Sequence, residues 1–252
     1  MIPRASLWTD PRGGPLELLV KGAATLGLAL GDREVRLFEN YYEALVGWNR
    51  MVNLTAITER DEVQTRHFVD SLSAILAVPA NVVTSAHMAD VGSGAGFPGV
   101  PLAIVFPESR VTLIESTAKK TAFLSHLKEL LGLANLTVLT GRAEELAHLP
   151  ELRERFDIVL SRAVAELAAL AELTLPFCRI GGTSVVHKRP DVAGELARAR
   201  QAIETLGGHL DRVLDVDLEV MKEKGALVVL DKIIATPDRF PRRPGMPVKR
   251  PL

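Results

Sequence analysis

The chain has 252 residues, 47% hydrophobic and 24% charged, which is enough to bury one large core, or one core with a small accessory part, and too apolar for a disordered chain. With 30 Lys+Arg against 31 Asp+Glu the net charge is -1, so overall charge gives no sign of nucleic-acid binding. Cys178 is the single cysteine, which excludes an internal disulfide and a multi-thiolate metal site; no metal is expected, and Cys178 reads as a small core residue.

In chain order, residues 1–14 carry Pro3, Pro11, Gly13 and Gly14 without periodicity and read as a loose N-terminus. Val35, Phe38, Tyr42, Leu45, Trp48 and Val52 recur at spacings of three and four, which predicts an amphipathic helix over Arg33–Val52. Thr58-x-x-Asp61 resembles a capping box opening a helix through Val63, His67, Leu72 and Leu76, halted near Pro79.

Beyond Pro79 short apolar runs alternate with amphipathic stretches. The pattern predicts strand Ala86–Val91, helix Pro98–Phe106, strand Arg110–Glu115, helix Thr117–Leu131 ended by Gly132, and strand Leu136–Thr140. Strand Asp157–Ser161, helix Glu166–Phe177, strand Thr183–His187 and helix Val192–Leu206 follow, and Leu214–Val220 and Gly225–Ile234 could pair as an antiparallel ribbon at a sheet edge. Strands apolar on both faces imply a mainly parallel sheet flanked by helices. The layout expected is a helical N-terminal part over 1–80, an α/β domain over 81–236 and a tail over 237–252. The tail carries Arg239, Arg242, Arg243, Lys249 and Arg250 and is too rich in proline for a helix or central strand, so it reads as a solvated segment or a basic arm for a phosphate backbone. No apolar run reaches the roughly 18 to 20 residues that span a bilayer, and no signal-peptide core follows Met1, so the cytoplasm is the expected location, with no membrane partner.

Gly92, Gly94 and Gly96 directly after a predicted strand place bare backbone where a ligand must approach closely. A dinucleotide fingerprint would need a third glycine at position 97, which is Phe97, and Asp90 suits a cationic amino group better than a pyrophosphate. Asp-x-Gly-x-Gly-x-Gly is the commoner signature of S-adenosylmethionine enzymes, so the predicted fold is the class I methyltransferase Rossmann-like fold. Glu115 ends the second strand, where its carboxylate can accept from both ribose hydroxyls. Gly141-Arg142-Ala143-Glu144 follows the third strand, where backbone at Ala143 and Glu144 could meet the adenine; a plain helix N-terminus is the simpler alternative.

Ser161-Arg162-Ala163-Val164 follows the fourth strand, the usual place of the methyl acceptor. It has no Asn/Asp-Pro-Pro-Tyr/Phe segment for an exocyclic amine, and Cys178, in an apolar helix end, is badly placed as the nucleophile of carbon-5 pyrimidine methylation. An acceptor with an in-plane lone pair remains, and guanine N7 is one. Arg162 and Lys188 could grip guanine O6 or a phosphate, or each could pair with a buried carboxylate. His67 reads equally as a core or cap histidine and as a site residue, Asn53 and Asp70 as fasteners of the N-terminal helices, and Lys119 and Lys120 as a solvated face or an anion contact.

Several of these segments together, Trp48-Asn49-Arg50-Met51-Val52-Asn53-Leu54-Thr55-Ala56-Ile57, His67-Phe68-Val69-Asp70-Ser71-Leu72, Asp90 through Leu102, Gly141-Arg142-Ala143-Glu144 and Ser161-Arg162-Ala163-Val164-Ala165, resemble the bacterial RsmG (GidB) family from about residue 34 to the C-terminus. The resemblance implies N7 methylation of guanine 527 in the 530 loop of 16S rRNA, within the small ribosomal subunit or an assembly precursor. The protein would act as a monomer, would not bind DNA, and would leave S-adenosylhomocysteine as product. It further implies that Gly92 and Phe97 line the methyl-donor pocket, that Glu115, Ser116 and Thr117 surround the ribose, that Ala143 and Glu144 meet the adenine, and that Arg162 faces the reaction centre. After Gly181-Gly182 the chain reads His187-Lys188-Arg189-Pro190 where the family usually has Lys-Gly, with Lys188 in the place of the usual lysine.

Overall fold

A computed structural model describes residues 16–162 and 165–252. The expected loose N-terminus therefore lies outside the described residues, as do Ala163 and Val164.

Two helices open the described chain, α1 (Glu17–Thr25) and α2 (Asp32–Asn49). Helix α2 buries Phe38, Tyr41 and Leu45, one stripe at the expected period, and Glu34 returns its carboxylate to the backbone N–H of Gly31. The single helix expected before Pro79 is a run of changing pitch: α3 (Arg60–Val63), a π-helical stretch (Gln64–Val69), α4 (Asp70–Leu72) and a 3-10 turn (Ser73–Ala77). The expected capping box does not form. Glu59 takes the N-cap position without a side-chain bond, and Arg60 pairs with Glu39 of α2.

After α5 (Ala80–Val83) come β1 (His87–Val91), α6 (Gly99–Val105), β2 (Arg110–Glu115), α7 (Ala118–Leu131), β3 (Leu136–Thr140), α8 (Ala143–Leu146), β4 (Phe156–Arg162) and α9 (Leu167–Thr174). The chain continues through β5 (Cys178–Lys188), α10 (Ala193–Thr205), β6 (Gly208–Val216), β7 (Gly225–Lys232) and α11 (Met246–Lys249). Gly132 ends α7 in the left-handed region at φ 63, which glycine adopts without a Cβ penalty. The seven strands form one sheet in the order β3-β2-β1-β4-β5-β7-β6. The first five are parallel, with Asp90 level with Leu113 on one side and Leu160 on the other; β7 pairs antiparallel with both β5 and β6. Successive strands move outward on one side of β1 and then on the other, so the order reverses between β1 and β4. Open α/β sheets bind ligands at that reversal, at the C-terminal strand ends.

The expected ribbon is present but its first strand begins at Gly208 rather than Leu214, and Cys178 opens β5 instead of closing a helix. Burial pushes the Cys178 thiol up to about 12, so it stays protonated. Among the described residues, neither the first helices nor the C-terminal segment stands apart from the sheet. Leu19, Phe38, Tyr41 and Leu45 share a core with Val100, Leu113, Phe123 and Leu127, and Phe240 of the C-terminal segment is buried against Leu170 and Leu206. The expectation of a solvated tail without helix is thus corrected. Glu172, fully buried on α9, accepts from the Arg242 backbone at 2.7 Å and from its guanidinium at 2.6 and 2.9 Å, which holds the segment in place. Among the described residues no helix is long and apolar enough to cross a membrane.

Candidate active site

A cavity of about 720 Å³ opens at the strand-order reversal. Its floor is the loop after β1. Gly92, Gly94 and Gly96 have φ of 76°, 59° and 103°, so all three occupy a region that side-chain-bearing residues rarely adopt. A Cβ at Gly96 would stand 2.7 Å from the Tyr41 hydroxyl, whereas one at Gly94 would meet only the Gly92 carbonyl at 3.8 Å, so Gly94 faces open space.

Glu115, at the end of β2, fastens this floor. Its Oε2 accepts from the Gly94 N–H at 3.1 Å and its Oε1 from the Thr117 N–H at 2.8 Å, which leaves acceptor capacity on each oxygen at the cavity wall. Ser116 and Thr117 continue that wall, and Lys120, Gly141, Arg142, Ala143 and Glu144 complete this end. Glu144 also accepts from the Gly245 N–H at 2.7 Å, so the C-terminal segment lies against the cavity and adds Val248 and Lys249 to its lining.

Asp90 departs from expectation. Its carboxylate is fully buried beneath the loop and does not line the cavity; Oδ2 accepts from the Gly99 N–H at 2.9 Å at the start of α6. Among the described residues Oδ1 has no hydrogen-bond partner. Burial raises this carboxyl to about 7, against the opposing pull of the Gly99 N–H and of Arg162. Direct contact with a donor amino group is therefore replaced by a supporting position under the glycine loop.

The opposite end of the cavity comes from distant segments. Tyr41 of α2 donates to the Ala95 carbonyl at 2.6 Å and stacks on Phe97 at 5.2 Å, so the first helices grip the glycine loop directly. His67, on the π-helical stretch, stacks on the same ring at 4.4 Å. Arg162, at the end of β4, lies over Phe97 at 5.0 Å while donating to Asp70 Oδ2 at 2.8 Å and the Arg66 carbonyl at 2.9 Å. Its Nη2 stands 3.0 Å from His67 Nδ1. Burial, and then the Arg162 charge, depress His67 to about 3, so the imidazole is neutral. Leu54 and Thr55 close this end; Asn49 holds them by accepting from both of their N–H groups and donating to the Thr55 carbonyl. Asn53, expected as a fastener, is exposed.

Of the residues singled out in the sequence, Gly92, Gly94, Phe97, Glu115, Ser116, Thr117, Ala143, Glu144 and Arg162 come together around the cavity. Lys188 does not. Its ammonium pairs with Glu195 of α10 at 2.6 Å and donates to the Ala165 carbonyl at 3.1 Å, and Glu195 also caps the Leu167 N–H, so this lysine braces the start of α9. Neither Tyr41 nor Thr55 stood out in the sequence; Thr55 lies in a segment shared with the resembled family, whereas Tyr41 lies in none of those segments and had only its place on the amphipathic helix. No group of three or more His, Cys, Asp or Glu able to hold a metal occurs among the described residues.

The family model described as rRNA small subunit methyltransferase G matches residues 34–221. A protein of Dehalococcoides mccartyi named Ribosomal RNA small subunit methyltransferase G is 45% identical over 234 residues, covering 93% of this chain and 98% of that one. One of Roseiflexus with the same name is 46% identical over 242 residues, covering 94% and 100%. Among solved structures, a putative O-methyltransferase from Klebsiella pneumoniae superposes with a TM-score of 0.52 at 17% identity, covering 85% of this chain and 96% of that one. Aeropyrum pernix fibrillarin in complex with S-adenosyl-L-methionine gives 0.50 at 15% identity, covering 63% and 73%. At such identities the likeness extends to the fold, which is that of the class I methyltransferases.

Proposed function

The chain belongs to the rRNA small subunit methyltransferase G family, an S-adenosylmethionine-dependent family, and from that premise we propose that it methylates N7 of guanine 527 in the 530 loop of 16S rRNA. The observation that carries this reading is one continuous cavity, with a glycine floor and a carboxylate at one end and Thr55, His67 and Arg162 at the other. It offers one end to a donor and one to an acceptor.

The residues present suit the donor. The glycine backbone admits close approach of the methionine portion, Glu115 keeps acceptor capacity for the two ribose hydroxyls, Ser116 and Thr117 flank them, and backbone at Ala143 and Glu144 is available to an adenine edge. Bound there, the sulfonium supplies an electrophilic methyl group. The remaining work is done by the chain: the Phe97 ring and the His67 imidazole wall off water, and Arg162, fixed by Asp70, presents a planar cation beside the acceptor. N7 of guanine has an in-plane lone pair and no proton to lose, which suits a site whose histidine is neutral and has both ring nitrogens engaged.

On this reading residues 81–236 bind the donor, the described part of residues 1–80 covers it through Leu54, Thr55 and His67, and residues 237–252 meet RNA. Arg239, Arg243, Lys249 and Arg250 are exposed on the packed C-terminal segment, and Lys120 and Arg142 line the same side of the cavity, which suits a phosphate backbone. The partner is then the small ribosomal subunit or an assembly precursor, met by a single copy of the chain in the cytoplasm. The test is tritiated methyl transfer from S-adenosylmethionine to small subunits from a strain lacking its own enzyme, with the methyl group mapped by mass spectrometry. Methyl on guanine N7 of the 530 loop is expected, and methyl on any other atom overturns the reading.

A further inference from the structure

The hydrogen bonds at the acceptor end have a fixed direction. His67 Nδ1 has two neighbours, Arg162 Nη2 at 3.0 Å and the Arg66 carbonyl at 3.1 Å. The carbonyl already accepts from Arg162 Nη1 at 2.9 Å, whereas the planar guanidinium has no acceptor and a proton on Nδ1 would face its Nη2 hydrogen head-on, so Nδ1 presents its lone pair to Arg162. The neutral ring then carries its proton on Nε2, which donates to Thr55 Oγ1 at 2.9 Å. The Ile57 N–H donates to the same oxygen at 3.0 Å. Both lone pairs of the Thr55 oxygen are thereby filled, and a hydroxyl so placed can only donate. Asn49 fixes the backbone of Thr55 on both sides, and Thr55 lines the cavity beside Leu54, His67, Phe97 and Arg162.

The geometry points to Thr55 as the residue that selects the base: a one-way donor at the acceptor end, matched to the carbonyl oxygen of guanine and opposed to the exocyclic amino group that adenine carries in the same place. This rests on the guanine-N7 reading above. On the Hoogsteen edge guanine presents N7 and O6 as two acceptors, whereas adenine replaces O6 by an amino donor. With O6 on the Thr55 hydroxyl, the adjacent N7 is held in one position. An amino group there meets a donor that cannot turn round, because the order Arg162, His67, Thr55 is set by a guanidinium that does not deprotonate. A site of fixed polarity rejects the mismatched group more strongly than apolar contact would, since the mismatch leaves its own donor unpaired. Arg162 and His67 are positioning residues in this scheme, acting through Thr55.

The test compares guanine with 2,6-diaminopurine, which carries an amino group in place of O6, at the accepting position of small-subunit RNA assembled into ribosomal subunits. Wild-type protein is expected to prefer guanine in kcat/KM by at least about tenfold. Thr55→Val, which keeps the shape and removes the hydroxyl, should narrow that preference by about tenfold at unchanged S-adenosylmethionine affinity, and Thr55→Ser should retain it within about threefold. An unaltered preference in Thr55→Val overturns the inference, as does a loss of donor affinity, which would put the hydroxyl on the donor. Nitrogen NMR of His67 in wild-type protein decides the polarity even if Thr55→Val fails to fold: a proton on Nε2 supports it and a proton on Nδ1 overturns it. Product mapping separates the two failures, because a methyl group found off guanine N7 fells the underlying reading, whereas N7 methylation with an insensitive preference fells only the role of Thr55.

Discussion

In the floor of the cavity the hydrogen bonds join residues close in the chain: Thr117 to Glu115 two apart, Gly99 to Asp90 nine apart, Gly94 to Glu115 twenty-one apart. The cover is held by side chains reaching much farther, Tyr41 to Ala95 across 54 residues, Arg242 to Glu172 across 70, Arg162 to Asp70 across 92 and Gly245 to Glu144 across 101. The floor is thus a local product of strand, turn and helix, which any sequence with the right spacing would form. The cover exists only once the sheet has brought distant segments together, so its contacts should fail one by one, each with a separate consequence.

The largest effect is expected at the cover. Arg242→Ala leaves the carboxylate of Glu172 buried without its guanidinium, and removing one partner of such a pair costs about 3 to 5 kcal/mol. Donor affinity should fall as well, because the segment that Arg242 anchors presses Val248 and Lys249 against the cavity. Denaturant unfolding together with donor titration checks both effects; a stability loss under about 1 kcal/mol would mean that the segment is held by Phe240 and the bonds of Arg153 alone.

A pH series probes the floor. Asp90 is raised from 3.8 to about 7 in the folded protein, so between those values the folded state holds a proton that the unfolded chain has released. Its contribution to stability is full below about pH 4 and is lost as pH rises through about 7, by up to about 4 kcal/mol at 1.36 kcal/mol for each pH unit. Asp90→Asn can still accept from the Gly99 N–H and does not titrate. The variant should flatten the fall in stability between pH 4 and 8, and a wild-type slope retained in the variant would assign the titration elsewhere.

The same contrast separates what the sequence made legible from what it concealed. Strands Arg110–Glu115 and Leu136–Thr140 occupy the predicted residues, because the preceding and following turns bound each short apolar run. Strand β6 starts six residues before its expected place because an edge strand exposes most of its side chains and leaves no apolar run to read. Helix α11 was hidden by Pro247, which stands in its first turn, where the missing N–H would have had no partner in any case. In the site, Gly92, Gly94 and Glu115 follow from spacing along one strand-turn-helix path. The Thr55–His67–Arg162 chain follows from no spacing, since the pitch change over Gln64–Val69 that aims His67 carries no periodic signal. Lys188 is open in the sequence between a ligand contact and a carboxylate partner, and Glu195 on the following helix supplies the second.

Glu115→Ala sharpens the comparison from the floor side. The two ribose hydroxyls would lose a charge-assisted acceptor, about 1.5 to 3 kcal/mol, or roughly ten- to a hundredfold in the dissociation constant of S-adenosylmethionine. Turnover at saturating donor should change less, because the acceptor end is untouched. Calorimetric titration decides this, and unchanged affinity would move the ribose away from β2.

The smallest expected effect is the most discriminating, because Arg162 belongs to the cover by its bonds and to the reaction end by its place. It pairs with Asp70 at 2.8 Å, as a structural arginine would, yet its guanidinium also lies over Phe97 and lines the cavity. Lysine can keep the ion pair but cannot donate in one plane to Asp70, the Arg66 carbonyl and His67 Nδ1 while covering a ring. Arg162→Lys should therefore lower methyl transfer by at least about tenfold, about 1.4 kcal/mol in the barrier, with Tm near wild type. Arg162→Ala also leaves Asp70 without its partner. Because both side chains keep some solvent access, 14% and 19%, the stability loss should fall below the roughly 3 to 5 kcal/mol of a fully dry pair. Adding Asp70→Ala should then restore stability without restoring turnover, since the lone carboxylate is gone while the ordered path to His67 stays broken. Wild-type turnover per folded molecule in Arg162→Lys, accompanied by a large loss of stability, would instead make Arg162 a clamp for the π-helical stretch and nothing more.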